Sequence, residues 1–238
     1  MSWCEWPGAA IGLEVLERYG CRMADGFNLT LLLVGVSVSL GALLGLALAM
    51  GRLRGHPILA RAIAVYTTFF RGSPLLVQLF LIYYGLGGLR LFWQDIGLWW
   101  FFREPLYCCL LAFTLNTAAY QAEVFRGAMQ SLPSGQAEAA RSLGMGSLAT
   151  FLKVEMPQAI IIALRPLGNE LIVMIKASSL AALVTMYDLM GATRLAFSRS
   201  FDLSIYLVAA LVYLVLVEIV RRLWNFMEAR LTRHLALR

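Results

Sequence analysis

Residues 27–50 read FNLTLLLVGVSVSLGALLGLALAM, with no ionisable side chain in the run. As a helix this stretch is about 36 Å long, enough to cross a hydrocarbon layer of about 30 Å. Four more apolar stretches follow, and the spans are expected at about 27–50, 74–92, 105–122, 158–184 and 203–220. The whole 238-residue chain is 60% hydrophobic and only 14% charged, with a mean hydropathy of +0.73. A soluble domain carries about 25% charged residues, so the expectation is an all-α membrane protein with five transmembrane helices. The net charge of +6 does not point to nucleic acid, because the basic residues flank apolar runs instead of forming one patch.

Those flanking charges set the expected orientation. Twelve Lys and Arg follow spans one, three and five, against six on the other side. Positive residues favour the cytoplasm, which puts the N-terminus outside and the C-terminus inside. The expected organisation is an outer segment over 1–26, a membrane domain over 27–224 and a cytoplasmic tail over 225–238. The segment centred on 58–70 is amphipathic and is expected to lie along the interface; Arg61 and its basic neighbours disfavour a sixth span there. With its first basic residue at Arg18, the start is not expected to be a signal peptide.

The connection over 133–157 is polar and alanine-rich. Ser134 after Pro133 suits a helix N-cap. Ala137, Ala139 and Ala140 are expected to keep one surface thin, and Gly144 to end the helix in a left-handed conformation. A second helix should begin after it, interrupted or bent by Pro157. Two readings of this connection stand equally: an ordinary hairpin whose alanines serve helix propensity, or a helix slim enough for a groove in another protein.

Glu138-Ala139-Ala140, Gly144 and Val154-Glu155-Met156-Pro157 resemble the EAA signature of permease subunits of bacterial ABC importers, with Val154 and Met156 as mild departures. The segments FRGSPLLVQLF (70–80), FTLNTAAYQAEVFRGA (113–128) and GNELIVMIKASSL (168–180) are similar to the polar amino-acid branch, the histidine/arginine/octopine type. The resemblance implies a type I importer core in the bacterial inner membrane. It also implies a coupling helix carrying Glu138, Ala139, Ala140, Arg141, Gly144 and Pro157, which docks on a cytosolic ATPase. The implied partners are two ATP-binding subunits that use ATP and Mg²⁺, a periplasmic amino-acid-binding protein and a sister permease, a heterodimer being favoured over a homodimer. Basic amino acids or opines are the favoured substrates.

The fourth span holds Arg165, Asn169, Glu170 and Lys176. Charges at membrane depth usually face protein or water. At 100° per residue Arg165, Asn169 and Lys176 share a face within about 40°, Ser179 lies at its edge, and Glu170 is displaced by about 100°. These groups read either as helix-to-helix locks or as a cavity for a zwitterion. In the second reading Glu170 meets an ammonium, and Lys176, Ser178 or Ser179 a carboxylate. The resemblance favours Asn169 and Glu170 as substrate-binding; Asn116 and Gln121, with Thr117 and Gln78, are weaker candidates.

Other features read as structural. Gly41 and Gly45 permit close helix approach, and Trp93, Trp99 and Trp100 suit an interfacial belt. Cys4 and Cys21 would pair in an oxidising compartment, whereas the isolated His56 and His234 suggest no metal site. No phosphate-binding loop or catalytic motif is present, so no catalytic residue and no bound cofactor are expected. The rival class is an autonomous ion-coupled carrier or channel.

Overall fold

The computed structural model describes residues 14–233, with side chains from 17 onward. The expected Cys4–Cys21 pair and His234 involve residues outside that set. Among the described residues the regular structure is entirely helical. The helices are α1 (Glu14–Arg54), α2 (Pro57–Gly72), α3 (Leu75–Phe80), α4 (Arg90–Asp95), α5 (Trp99–Phe102) and α6 (Pro105–Gln130). They continue with α7 (Ser134–Ser142), α8 (Ser147–Thr150), α9 (Met156–Ala177), α10 (Leu189–Ser200) and α11 (Ser204–Thr232).

Helix α6 is the hub, packed by α1, α2, α3 and α9. Its contact with α1 is close because the facing residues are small. A Cβ at Gly41 would lie 2.4 Å from Thr117 Cγ2, and one at Gly45 would lie 3.0 Å from the Ala118 carbonyl. The Gly-x-x-x-Gly step is thus consumed inside the protomer. Phe113, Ala112 and the adjacent Cys108 and Cys109 on α6 meet Leu33, Leu79 and Met174 in the main core. At the far end of α1, Tyr19 and Met23 pack with Leu189, Ala196 and Ile205, and the Asp188 carboxylate caps α10 by accepting from the Gly191 amide at 2.9 Å. This second cluster explains why α1 begins well before residue 27, inside what the sequence suggests is a separate outer segment.

The amphipathic segment at 58–70 packs on the protein itself. Tyr66 donates to the Leu115 carbonyl at 2.6 Å, and Ile63 and Thr67 are buried, so α2 runs against α6. A straight span over 74–92 is absent. A tight helix covers 75–86, its last six residues in widened π geometry, and it is bent 107° from α2. The reason is Pro74: it follows extended Ser73, has no amide hydrogen and starts a new helix in a new direction.

Among the described residues three helices are long and apolar enough to cross a membrane, Glu17–Arg54, Ser147–Val184 and Ser204–Thr232, and the bent α2–α3 pair makes a fourth if it is taken as one span. Helix α6 falls outside that set because Asn116, Thr117, Gln121, Glu123 and Arg126 interrupt its apolar run. At 26 residues it is nonetheless about 39 Å long.

Replacing Gly45 by Leu should force α1 from α6 and cost about 1–3 kcal/mol. The measurement is thermal unfolding of detergent-solubilised protein. Gly35→Leu, where a Cβ meets nothing within 4 Å, should leave the transition unchanged.

Candidate functional site

The polar connection forms α7, and its faces differ from the expected ones. Ala137 and Ala140 are buried against the chain's own Phe151–Glu155 turn, whereas Glu138, Ala139 and Arg141 point outward. The small residues therefore let α7 lie close on its own base, with Ala140 turned inward. Ser134 is the first helical residue and makes no side-chain cap; Pro133 holds the cap position. The glycine stop is as expected. Gly144 has φ +83°, its amide donates to the Arg141 carbonyl at 2.9 Å, and the Met145 amide donates to Ala140 at 3.1 Å. That pair of bonds is a Schellman ending. It leaves Leu143, at 84% exposure, at the tip beside Arg141. Leu143 has no place among the residues expected from the sequence; an apolar residue directly before a glycine stop in a polar loop was the available signal.

Pro157 neither interrupts nor bends the next helix, which is continuous from Ser147 to Val184. Its missing donor falls just after a widened turn over Phe151–Glu155, which absorbs the defect. The same turn is tied to α1. Arg54 forms an ion pair with Glu155 and stacks 4.4 Å over the Phe151 ring. Gln158 donates to Gln136 of α7 and, at 2.8 Å, to Val154. Between α7, this turn and the ends of α1 and α6 lies a cavity of about 210 Å³.

A second polar cluster joins the same ends. Glu123 pairs with Arg52 of α1, accepts from Arg126 at 2.7 and 2.8 Å, and accepts from Thr67 of α2 at 3.3 Å. Burial pushes the Glu123 carboxyl up, but the Arg126 hydrogen bonds, both guanidinium charges and the Thr67 hydroxyl outweigh it and hold it below its ordinary value.

The fourth expected span divides into two faces. Arg165, Asn169 and Lys176 are exposed on the protomer, and Ser179 is partly so. Glu170 is buried on the other side, where its carboxylate accepts from Thr117 at 3.0 Å. It therefore does not join Asn169 and Lys176 at one open site; the 100° step between neighbours turns it into the α6 contact. Ser178 is fully buried and donates to Ile175, and Ser179 donates to Lys176, so both hydroxyls serve their own helix. Asn116 donates to Gln78 at 2.9 Å and to the Phe70 carbonyl at 3.1 Å. Gln121 donates to Val38 and Thr117, both at 3.1 Å. Glu170, Ser178, Ser179, Asn116 and Gln121 all bond within the protomer.

Beside Asn169 an open cavity of about 600 Å³ lies between α9 and α11. Arg165 crosses its rim to Glu228 at 2.9 Å, and Trp224 donates to the Leu164 carbonyl at 2.8 Å, packed on Gly168. No group of His, Cys, Asp and Glu among the described residues could hold a metal ion. His56 is a helix cap, accepting from the Ile58 amide at 3.3 Å.

Residues 41–233 match the family described as "Binding-protein-dependent transport system inner membrane component". The chain is 38% identical over 210 residues to the nopaline transport system permease protein of Agrobacterium fabrum, covering 88% of this chain and 87% of that one. It is 36% identical to the histidine/lysine/arginine/ornithine transport system permease protein of Escherichia coli K12, covering 93% and 97%. Among solved structures it is similar to a crystal structure of an amino acid ABC transporter with histidines. That likeness has a TM-score of 0.78 and 32% identity, with 90% of this chain and 95% of that one covered. The inward-facing MetNI methionine ABC transporter shares the fold at a TM-score of 0.74 and 18% identity, covering 91% and 99%.

The Glu123 cluster makes a pH prediction. A carboxyl lowered on folding contributes stability that is fully present above its unfolded value, about 4.3. That contribution is lost as pH falls through the lower folded value. Glu123→Gln should therefore unfold more easily than wild type at pH 7, with the difference shrinking below about pH 4. Thermal unfolding across pH 3–7 reads it.

Proposed function

The chain belongs to the binding-protein-dependent transport system inner membrane component family, and on that premise we propose how its parts divide the work of import. It is an inner-membrane permease subunit of an ATP-driven importer of the amino-acid and opine class, and ATP is hydrolysed by a separate subunit. The substrates named for its relatives, nopaline, octopine and histidine/lysine/arginine/ornithine, favour a basic amino acid or an opine here. We assign five crossings to α1, the α2–α3 pair, α6, the 147–184 helix and α11, with the N-terminus periplasmic and the C-terminus cytoplasmic. The working assembly is a heterodimer with a sister permease, two ATPases beneath that use ATP and Mg²⁺, and a periplasmic binding protein above.

One observation carries the mechanism: a single continuous helix bears the coupling loop at one end and a polar stripe further along. Its 38 residues make a rod about 57 Å long. Glu138, Ala139, Arg141 and Leu143 present the docking surface to the ATPase. Ala140 and Ala137 hold α7 down on the rod, Gly144 ends it, and Pro157 marks where the rod leaves the loop. Closure of the ATPases moves α7, and the rod carries that motion to Asn169 and Lys176. These two line the path for substrate, since polar groups exposed at membrane depth face a protein or aqueous interior. Ser179 stands at the stripe's edge. Glu170, Ser178, Asn116 and Gln121 act behind the path by fixing α9, α6 and the α2–α3 bend.

The test is uptake into proteoliposomes by this chain with its sister permease, ATPases and binding protein. ATP-dependent accumulation of a basic amino acid or opine is expected; gradient-driven accumulation by this chain alone would overturn the reading. Leu143→Asp should abolish binding-protein-stimulated ATPase activity while assembly in the membrane persists. Ala140→Trp should instead lower the thermal stability of the permease itself, because Ala140 faces inward.

A further inference from the structure

Between the coupling loop and the rest of the 147–184 rod lies the widened turn over Phe151–Glu155, where the Met156 amide reaches five residues back to the Phe151 carbonyl. Such turns are rare and gather at functional positions. This one seats α7 through Ala137 and Ala140, and it is also held by the Arg54 guanidinium at the end of α1. The guanidinium lies 4.4 Å from the centre of the Phe151 ring and forms an ion pair with Glu155. Phe151 and Glu155 are four residues apart and therefore neighbours on the helix surface. One planar cation spans both.

Neither helix termination nor stability accounts for this contact. A cation in the last turn of a helix offsets free carbonyls and marks the cytoplasmic flank. Any lysine or arginine fills those roles without touching Glu155. An ion pair whose side chains are 45% and 22% exposed adds little to stability. What the contact does is geometric: it fixes α1 to the place where a displacement of α7 enters the rod. A guanidinium stacked on a ring and paired with a carboxylate holds one orientation, which a lysine does not reproduce.

The other end of α1 shows where such a displacement goes. The helix runs for 41 residues, about 62 Å. Toward its start the Thr30 hydroxyl accepts from the amide of Leu189, the first residue of α10, at 3.1 Å. A Cβ at Gly26 would lie 2.7 Å from the Asp188 carbonyl, and Tyr19 and Met23 share a buried cluster with Leu189 and Ala196. The rod reaches α10 separately, through a link in which Thr185 takes a φ of +61°. Helix α1 and the rod are thus joined near both ends, at α10 and at Arg54.

We propose that Arg54 is a positioning residue for coupling: it makes α1 a second arm that carries the motion of α7 to α10, at the end assigned to the periplasm. The rod moves the Asn169 stripe and α1 moves α10, so both respond to one ATPase stroke. The inference rests on the import reading and adds a residue that lies outside both the docking surface and the path.

The test uses the complete complex, in nanodiscs for hydrolysis and in proteoliposomes for uptake. Arg54→Gln should keep basal ATPase activity and thermal stability, and should lower binding-protein-stimulated hydrolysis and uptake about 5- to 50-fold. Glu155→Ala should give the same loss, the double variant no more than either alone, and Arg54→Lys a partial recovery. Trapping wild type with ATP and vanadate should change hydrogen exchange over Leu189–Ser200. Arg54→Gln should lose that change while the rod keeps its own over 160–177. Wild-type uptake in Arg54→Gln overturns the inference, as do additive losses in the double variant. An equal fall of basal hydrolysis and thermal stability shows a merely structural contact and also overturns it. ATP-dependent uptake by the wild-type complex stands in each of those cases, whereas its absence overturns the importer reading itself.

Discussion

A helix that stops against its neighbours must find donors for its last carbonyls within the protein, since an orphaned buried backbone group costs several kcal/mol. At the end of α2 side chains meet most of that demand, beside the Ser73 amide that donates to Phe69 at 3.0 Å. Ser73 turns back on Phe69, Gln78 spans to Phe70 and Ser73, and Asn116 and Tyr120 arrive from α6. Half of these donors belong to the hub helix, so the bend and the α2–α6 contact are one unit. Asn116, one of the polar residues that lower the apolarity of α6, also helps its neighbour to break.

The same economy appears on the other sides of the hub. Thr117 meets α1 at Gly41 and donates to Glu170 of α9, and Gln121 reaches Val38 from the same surface. A polar chain thus runs from α1 through α6 to α9. It leaves Asn169 on another face of α9, exposed on the protomer beside the Arg165–Glu228 ion pair.

Much of this was legible in residue order. The apolar runs predicted an all-helical membrane fold. The positive φ of Gly144 was written in the glycine stop, and the 100° step that parts Glu170 from Asn169 follows from helical geometry alone. What stayed hidden depended on neighbours. An amphipathic segment such as 58–70 has one pattern whether its apolar face meets lipid or α6, so its placement needed Tyr66 and Leu115 in view. Three alanines in α7 did not reveal which way they faced, because small residues serve a partner's groove and a tight internal seat equally well. Pro157 read as a break because the sequence has no mark for the widened turn that accommodates it.

The two faces of α7 also bear on how such a subunit changes over time. Ala137 and Ala140 belong to the fold, and their replacement disturbs the rod beneath them. Glu138, Ala139 and Leu143 turn outward, and Arg141 reaches back only to the Ala137 carbonyl of its own helix at 3.1 Å. The outward four are free to drift together with whatever protein they meet, while the inward two are held by their own scaffold. With that outward face as the proposed docking surface, such a permease would exchange one motor for another through a handful of substitutions, without relearning how to fold.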